Sequence, residues 1–185
     1  MKIEPNISFL RGVNMTGHNS IKMTDLSELF LKIGLKDAET YIQSRNVVFS
    51  EIGEILPSDL TSSIEQAILN RFNYAIPVMI RSRKELADLF TSNPFLEEPG
   101  FDPSKMAVIF LHDEPSDNQL RKVEDVDYPP DKFEIIGREI YTYCPNGFGK
   151  TKIYTNFFEK KMGVSGTARN WKTITTLLAI AEKKI

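Results

Sequence analysis

Four short polar stretches hold the residues best suited to chemistry, and in each the chemistry is the holding of an anion. The first is Leu10-Arg11-Gly12-Val13-Asn14, followed by Gly17-His18-Asn19 and Lys22. Arginine forks onto phosphate or carboxylate and lysine adds a point charge, so Arg11 and Lys22 on one glycine- and asparagine-rich loop suit a shared anion. The second, Gln43-Ser44-Arg45-Asn46, has the length of a hairpin turn. There the amides of Gln43 and Asn46 either serve the turn itself or face a ligand. The third is Cys144-Pro145-Asn146-Gly147-Phe148-Gly149-Lys150-Thr151 with Lys152 behind it. The fourth, Thr167-Ala168-Arg169-Asn170-Trp171-Lys172-Thr173, is read as a loop running into the last helix. Asn170 suits an N-cap, and the helix end behind it offers free amides and a positive dipole. Arg169 and Lys172 add charge at the same place, which makes this the best local anion site.

The third stretch ends in Gly-Lys-Thr between a predicted strand and a predicted helix, as a phosphate-binding P-loop does. That loop needs glycine where Cys144 stands, so that backbone amides can wrap a phosphate. Only 34 residues follow Thr151, and they read as helices, so the parallel sheet that carries such a loop has no strands to build it. A glycine-rich strand-to-helix turn is the better reading. The same residues faintly echo an RNA-recognition strand, but Lys150 occupies an aromatic's place. Acid–base catalysis has thinner support. Asp113-Glu114, Glu97-Glu98 and Asp125-x-Asp127 are carboxylate pairs in loop-like surroundings, and His18 is a lone loop histidine. No Gly-x-Ser-x-Gly elbow is present.

Composition narrows the classes. The 185 residues are 41 % hydrophobic and 26 % charged, an ordinary globular balance. With one cysteine, Cys144, an intramolecular disulfide is impossible, a cysteine-based zinc site is unexpected, and a buried structural thiol is expected. No metal cofactor is expected. The longest apolar runs have strand length, and no apolar leader follows the N-terminus, so the reading is a reduced, cytoplasmic protein. The net charge of −2 conceals an asymmetry. Residues 1–84 carry 10 Lys/Arg and 9 Asp/Glu, residues 85–145 carry 5 and 14, and residues 146–185 carry 8 and 2. The basic C-terminal stretch attracts an anionic ligand, while the acidic middle repels long nucleic acid.

The elements that would position these loops follow from periodicity. Ile7–Leu10 reads as a strand, and a helix from about Thr24 places Leu26, Leu29, Phe30 and Ile33 on one face before Gly34. Ala38–Gln43 and Asn46–Ser50 read as strands flanking a hairpin. Pro57 opens a second helix, and Pro77–Arg81 a further strand. This β-α-β-β-α-β order is the split βαβ pattern of ferredoxin-like folds. Ser82-x-x-Glu85 caps another helix, and the proline-rich stretch 93–104 reads as a connecting loop. Beyond it come a strand at Met106–Leu111, a short helix after the Ser116-x-x-Gln119 box, strands at Phe133–Ile136 and Glu139–Tyr143, and helices at about Lys152–Met162 and Trp171–Lys183. The expectation is an α+β protein: a ferredoxin-like βαββαβ half over 1–92, packed with a second βαββα half and a C-terminal helix over 105–185. No fixed-period sequence repeat is visible.

Leu10-Arg11-Gly12-Val13-Asn14, Tyr41-Ile42-Gln43-Ser44-x-Asn46-Val47-Val48-Phe49, Pro145-x-Gly147-x-Gly149 and Thr167-x-Arg169-Asn170-Trp171-x-Thr173 together resemble a bacterial family known as domain of unknown function 1697. The resemblance implies an α+β fold with a ferredoxin-like half and brings no activity, substrate or cofactor. Arg11, Asn14, Gln43, Asn46, Arg169, Asn170 and Lys172 stand at the family's signature positions, whereas Arg45 stands where the family usually has glycine. Polar and loop-borne, these residues suit a binding site better than a core. The functional expectation is a small anionic ligand, phosphorylated or nucleotide-like, in a cationic cleft formed by loops 10–22, 43–46, 145–152 and 167–173. The alternatives are a nucleic-acid or protein interaction module, with nucleic acid disfavoured by the acidic balance, and an enzyme acting on a phosphorylated small molecule.

Overall fold

The computed structural model describes residues 4–14, 19–41, 45–50 and 57–184. The chain is α+β, with two four-stranded antiparallel sheets and, among the described residues, six α-helices. Chain contacts divide it into two units, Met1–Asp88 with Thr176–Ile185, and Leu89–Thr175. No described helix is long and apolar enough to cross a membrane.

In the first unit β1 (Pro5–Leu10) lies between β3 (Asn46–Ser50) and β4 (Val78–Ser82), and β2 (Lys36–Tyr41) extends the sheet beyond β3. Helices α1 (Met23–Lys32) and α2 (Pro57–Phe72) supply its apolar layer. Leu26 and Phe30 of α1, Ile64 and Ile68 of α2, and Leu10, Val47, Phe49 and Val78 of the strands form one buried cluster. Phe30 meets Phe49 edge to face at 5.4 Å, the offset that aromatic quadrupoles favour. The opposite face of the sheet is also buried, at Ile7, Phe9, Val48 and Met79. The last ten residues belong to this unit because Lys184 reaches β2, donating to the Asp37 carbonyl at 2.9 Å and pairing with Glu39 at 3.2 Å.

The second unit repeats the plan. β5 (Met106–Leu111) lies between β7 (Glu139–Tyr143) and β8 (Gly166–Asn170), with β6 (Lys132–Ile136) at the edge beyond β7. The short α4 (Asp117–Leu120) and α5 (Thr155–Met162) accompany it, and Ile109, Ile140, Cys144, Phe158 and Met162 are among its buried cluster. The repetition extends to single hydrogen bonds. Leu10 donates to the Arg45 carbonyl and Leu111 to the Arg138 carbonyl, both at 2.9 Å. Arg11 donates to Pro77 at 3.0 Å and His112 to Ser165 at 2.8 Å. Sequence periodicity finds no repeat here because the two halves keep backbone pairing and not side chains.

Two expectations need correction. Residues 167–170, the first part of the stretch 167–173 read as a loop, lie in strand β8, because Arg169 pairs with Val108 and Ala168 with Ile109 in the ladder. Residues 93–104, read as the connecting loop between halves, pack into the second unit. Phe95 and Phe101 both stack on Tyr143, at 6.0 and 5.6 Å, and the Tyr143 hydroxyl accepts from the Asp102 amide. The unit boundaries fall instead inside two helices, α3 (Arg83–Thr91) and α6 (Trp171–Glu182). The start of α3 was legible: Ser82 and Glu85 exchange the reciprocal bonds of a capping box.

Gly166 and Cys144 make this packing testable. A methyl group at Gly166 would sit 3.0 Å from Ile109 Cγ2 and 3.2 Å from the Phe110 carbonyl oxygen. Gly166→Ala is expected to lower unfolding free energy by about 1–3 kcal/mol in urea titration, as overpacking does, whereas Gly149→Ala, with open space around it, has little effect. Burial pushes the Cys144 thiol pKa up, opposed in part by its bond with Thr151. The stabilisation from keeping this proton is fully present below the unfolded thiol's pKa of about 8.5 and falls as pH rises above it. Thiol titration of the native protein at neutral pH should accordingly be slow and become fast in denaturant.

Candidate functional site

The first loop is shaped by its own side chains. Gly12 and Asn14 both take positive φ, 74° and 51°, a region that glycine and asparagine tolerate. The Asn14 side chain then closes the loop: Nδ2 donates to the Ile21 carbonyl and Oδ1 accepts from the Ile21 amide, both at 2.9 Å. Asn19 Nδ2 adds a bond to the Gly12 carbonyl at 3.3 Å. Asn14 is therefore spent on the turn. Arg11 is half-exposed just past β1, and Lys22 is exposed just before α1.

The second stretch meets the first. Arg45 donates through Nη2 to the Asn14 carbonyl at 3.3 Å, and its own carbonyl accepts from Leu10. This chain thus uses a long side chain to tie the hairpin to the 10–22 loop. Asn46, although polar, is buried and donates to the Tyr41 carbonyl at 3.0 Å, the turn-serving alternative raised from sequence. Gln43 and His18 lie outside the described residues.

On the fourth stretch, Asn170 is the N-cap expected of it: Oδ1 accepts from the Thr173 amide at 2.8 Å. Trp171 is buried against Phe90, with ring centroids 4.6 Å apart, an anchoring role. Lys172 is exposed on the first turn of α6. Arg169 is not displayed to solvent. It is buried on β8, and Nη1 donates to Thr167 Oγ1 at 2.7 Å and the Ala168 carbonyl at 2.8 Å. Arg81 holds the matching place on β4, penultimate in the strand and paired with Ile7 as Arg169 is with Val108. It too is buried, and its Nη1 donates to the preceding carbonyl at 2.8 Å. The signature arginine of the C-terminal stretch is thus a repeated feature of the strand, which sequence could not reveal without the register.

The third stretch forms two successive turns. Gly147, at φ 85°, donates its amide to Cys144, and Lys150 donates to Gly147, so these amides are already committed. With α5 starting only at Thr155, the geometry is a turn and not a phosphate-wrapping loop. Yet this stretch lines a recess. Asn146, Lys150 and Lys152 share a cavity of about 320 Å³ with Asp127, Tyr128 and Asp131, and Lys152 Nζ lies 5.4 Å from the centroid of the Tyr128 ring. Of the individual site residues proposed from sequence Lys152 lines this recess, together with Asn146 and Lys150 of the same proposed 145–152 loop. Within the second unit Lys152 and Arg169 are not brought together: Tyr128 packs on the Ile109 side of the sheet, while Arg169 stands opposite Val108 on the other face.

Sequence reasoning weighed Asp127 only as one of a loop carboxylate pair and passed over Tyr128 and Asp131, because their segment carries no glycine or cation pattern and reaches the lysines only through the fold. The exposed Asp113 is bonded to His112 at 3.0 Å, and Glu98 to Lys132 at 2.7 Å, so these members of the carboxylate pairs have local partners. Among the described residues no cluster of three or more His, Cys, Asp or Glu is arranged to hold a metal. If Asn14 serves the turn, Asn14→Ala should cost about 1–3 kcal/mol of stability in chemical denaturation, the range for orphaned buried partners.

Comparison with known proteins agrees with this architecture. The conserved bacterial protein SP0830 from Streptococcus pneumoniae has a solved structure that matches with a TM-score of 0.78 at 18 % identity, over 97 % of this chain and 99 % of that one. At that identity the likeness speaks for the fold. No curated protein matches the sequence. The family profile described as protein of unknown function (DUF1697) matches residues 3–141, leaving the stretches at 145–149 and 167–173 beyond it. With three-quarters of its length matched, the chain belongs to the DUF1697 family.

Proposed function

We propose that the protein binds a small, phosphorylated, nucleotide-like ligand, and that the lysine recess of the second unit is where it does so. The observation that carries this reading is the charge arrangement in that recess. Lys150 and Lys152 line it together with Asp127 and Asp131, yet among the described residues no ion pair joins either lysine to either aspartate. Two cations and two carboxylates that do not pair with one another suit a ligand that carries both an anionic group and hydrogen-bond donors. Lysine ammonium groups would hold a phosphate, with the Asn146 amide as an added donor. Carboxylates accept from ribose hydroxyls, and the Tyr128 ring gives an apolar surface for the rest. The cavity lies within the range of small-molecule sites.

In this reading each half is a ferredoxin-like unit, and the signature residues divide by role. Asn14, Asn46 and Arg169 shape the scaffold, while Arg11, Lys22 and Lys172 remain exposed or half-exposed cations outside the recess. The 145–152 loop and the 127–131 segment carry the ligand, and the other loops need not converge on it. Titration calorimetry with inorganic phosphate, ribose 5-phosphate and adenosine monophosphate tests this. The nucleotide should bind best, and Lys150→Ala with Lys152→Ala should weaken it at least about tenfold, as removal of charge-assisted bonds does. Absence of heat with all three compounds, or undiminished affinity in the double variant, would overturn the reading.

A further inference from the structure

Adjoining the lysine recess, with which it shares Asp127, Tyr128 and Asp131, runs a larger groove of about 530 Å³, whose lining joins the apolar side chains of Phe95, Val123, Phe133 and Ile135 to a row of acids. It follows β6, which among the described residues pairs with β7 alone and is an edge of its sheet. The strand alternates in burial, with Phe133 and Ile135 half-buried between exposed Lys132, Glu134 and Ile136. From this geometry we infer that the β6 edge is a docking surface for an extended, basic segment of a partner protein, which adds to the sheet as a further antiparallel or parallel strand.

Two independent features select that occupant. The first is the unpaired strand edge. Edge backbone amides and carbonyls are a template for another strand, and apolar side chains two residues apart give it a floor for alternate side chains. The second is charge. Glu124, Asp127, Asp131 and Glu134 line the groove, and among the described residues none of the four is ion-paired. The one lysine there, Lys132, is bound to Glu98 through both carboxylate oxygens at 2.8 and 2.7 Å. Residues 113–134 as a whole hold eight acidic and three basic side chains. A second copy of the chain meeting this edge with its own would set like charges against each other, and a nucleic acid would be repelled. A basic strand with apolar residues at alternate positions satisfies the backbone, the floor and the charged rim together.

The test uses the full chain and does not rest on the nucleotide reading. A fluorescein-labelled octapeptide of alternating lysine and valine is titrated in anisotropy, beside one of glutamate and valine and one of lysine and proline. The lysine–valine peptide should bind, with affinity falling as salt rises. Its acidic twin should not bind, and the lysine–proline peptide, which keeps the charge but loses the amide donor and the valine side chain at every second residue and favours polyproline geometry, should bind at least about tenfold more weakly. Glu124→Lys with Glu134→Lys should weaken the lysine–valine peptide about tenfold or more, while Lys150→Ala with Lys152→Ala, which removes cations from the adjoining recess, does not weaken it. In the wild type, amide resonances of Phe133–Ile136 should shift and gain exchange protection, a readout that depends on no variant's folding. Absence of binding, equal binding by the proline peptide or by the acidic twin, or shifts confined to other strands would each overturn the proposal, as would self-association of the protein through β6.

Discussion

Everything in each half hangs on a central strand that is sealed from water on both faces. β1 and β5 are buried at all six of their positions, between a neighbour on either side. A strand in that place has no solvent to satisfy its polar groups, and unmade hydrogen bonds there cost about 1–3 kcal/mol each. The structure answers this internally. Ser8 donates to the Val47 carbonyl, Thr142 to the Ala107 carbonyl, and Arg81 and Arg169 to carbonyls of their own strands. The same constraint explains why so many polar signature residues are scaffold. A guanidinium or amide at a buried position must find a partner, and the nearest partner is backbone.

Sealing the centre leaves chemistry to the periphery. The edge strands β2 and β6 are the least buried of the eight, and the recesses of the second unit are built from segments that follow or flank an edge. Loops and edges carry open backbone and free charge because they are not asked to fill the core. The acidic bias of the middle of the sequence thereby acquires a location, along β6 and the turn before it. The basic bias of the C-terminal part is dispersed, with Arg169 on one face of the second sheet and Lys152 beside Tyr128 on the side of the other.

The duplication of the module shows how a fold can be repeated without a visible sequence repeat. The paired bonds at Leu10 and Leu111, and at Arg11 and His112, involve main-chain atoms only. Any residue other than proline can supply the amide, so selection on these bonds leaves almost no trace in side-chain identity. Arg81 and Arg169 are the exception, and their equivalence emerges only when strand register aligns them.

The α+β class, most strand and helix positions, the capping boxes at Ser82 and Ser116, the Asn170 cap and the burial of Cys144 were legible in the residues themselves. Each rests on local periodicity or on contacts within a few residues. Strand β8 escaped because Gly-Thr-Ala-Arg-Asn alternates no apolar pattern of its own. It is a strand through pairing with β5, which lies more than fifty residues away. Roles were assigned by tertiary structure alone. Asn14 and Asn46 look alike as loop amides until their partners, Ile21 and Tyr41, are in place. Arg169 and Lys172 look like a cation pair until the pleat buries one and the helix exposes the other. Asp127 and Asp131 join Lys150 and Lys152 only because the fold brings distant segments together. Residue type fixes what a side chain can bond, and the long-range fold decides which partner it meets first.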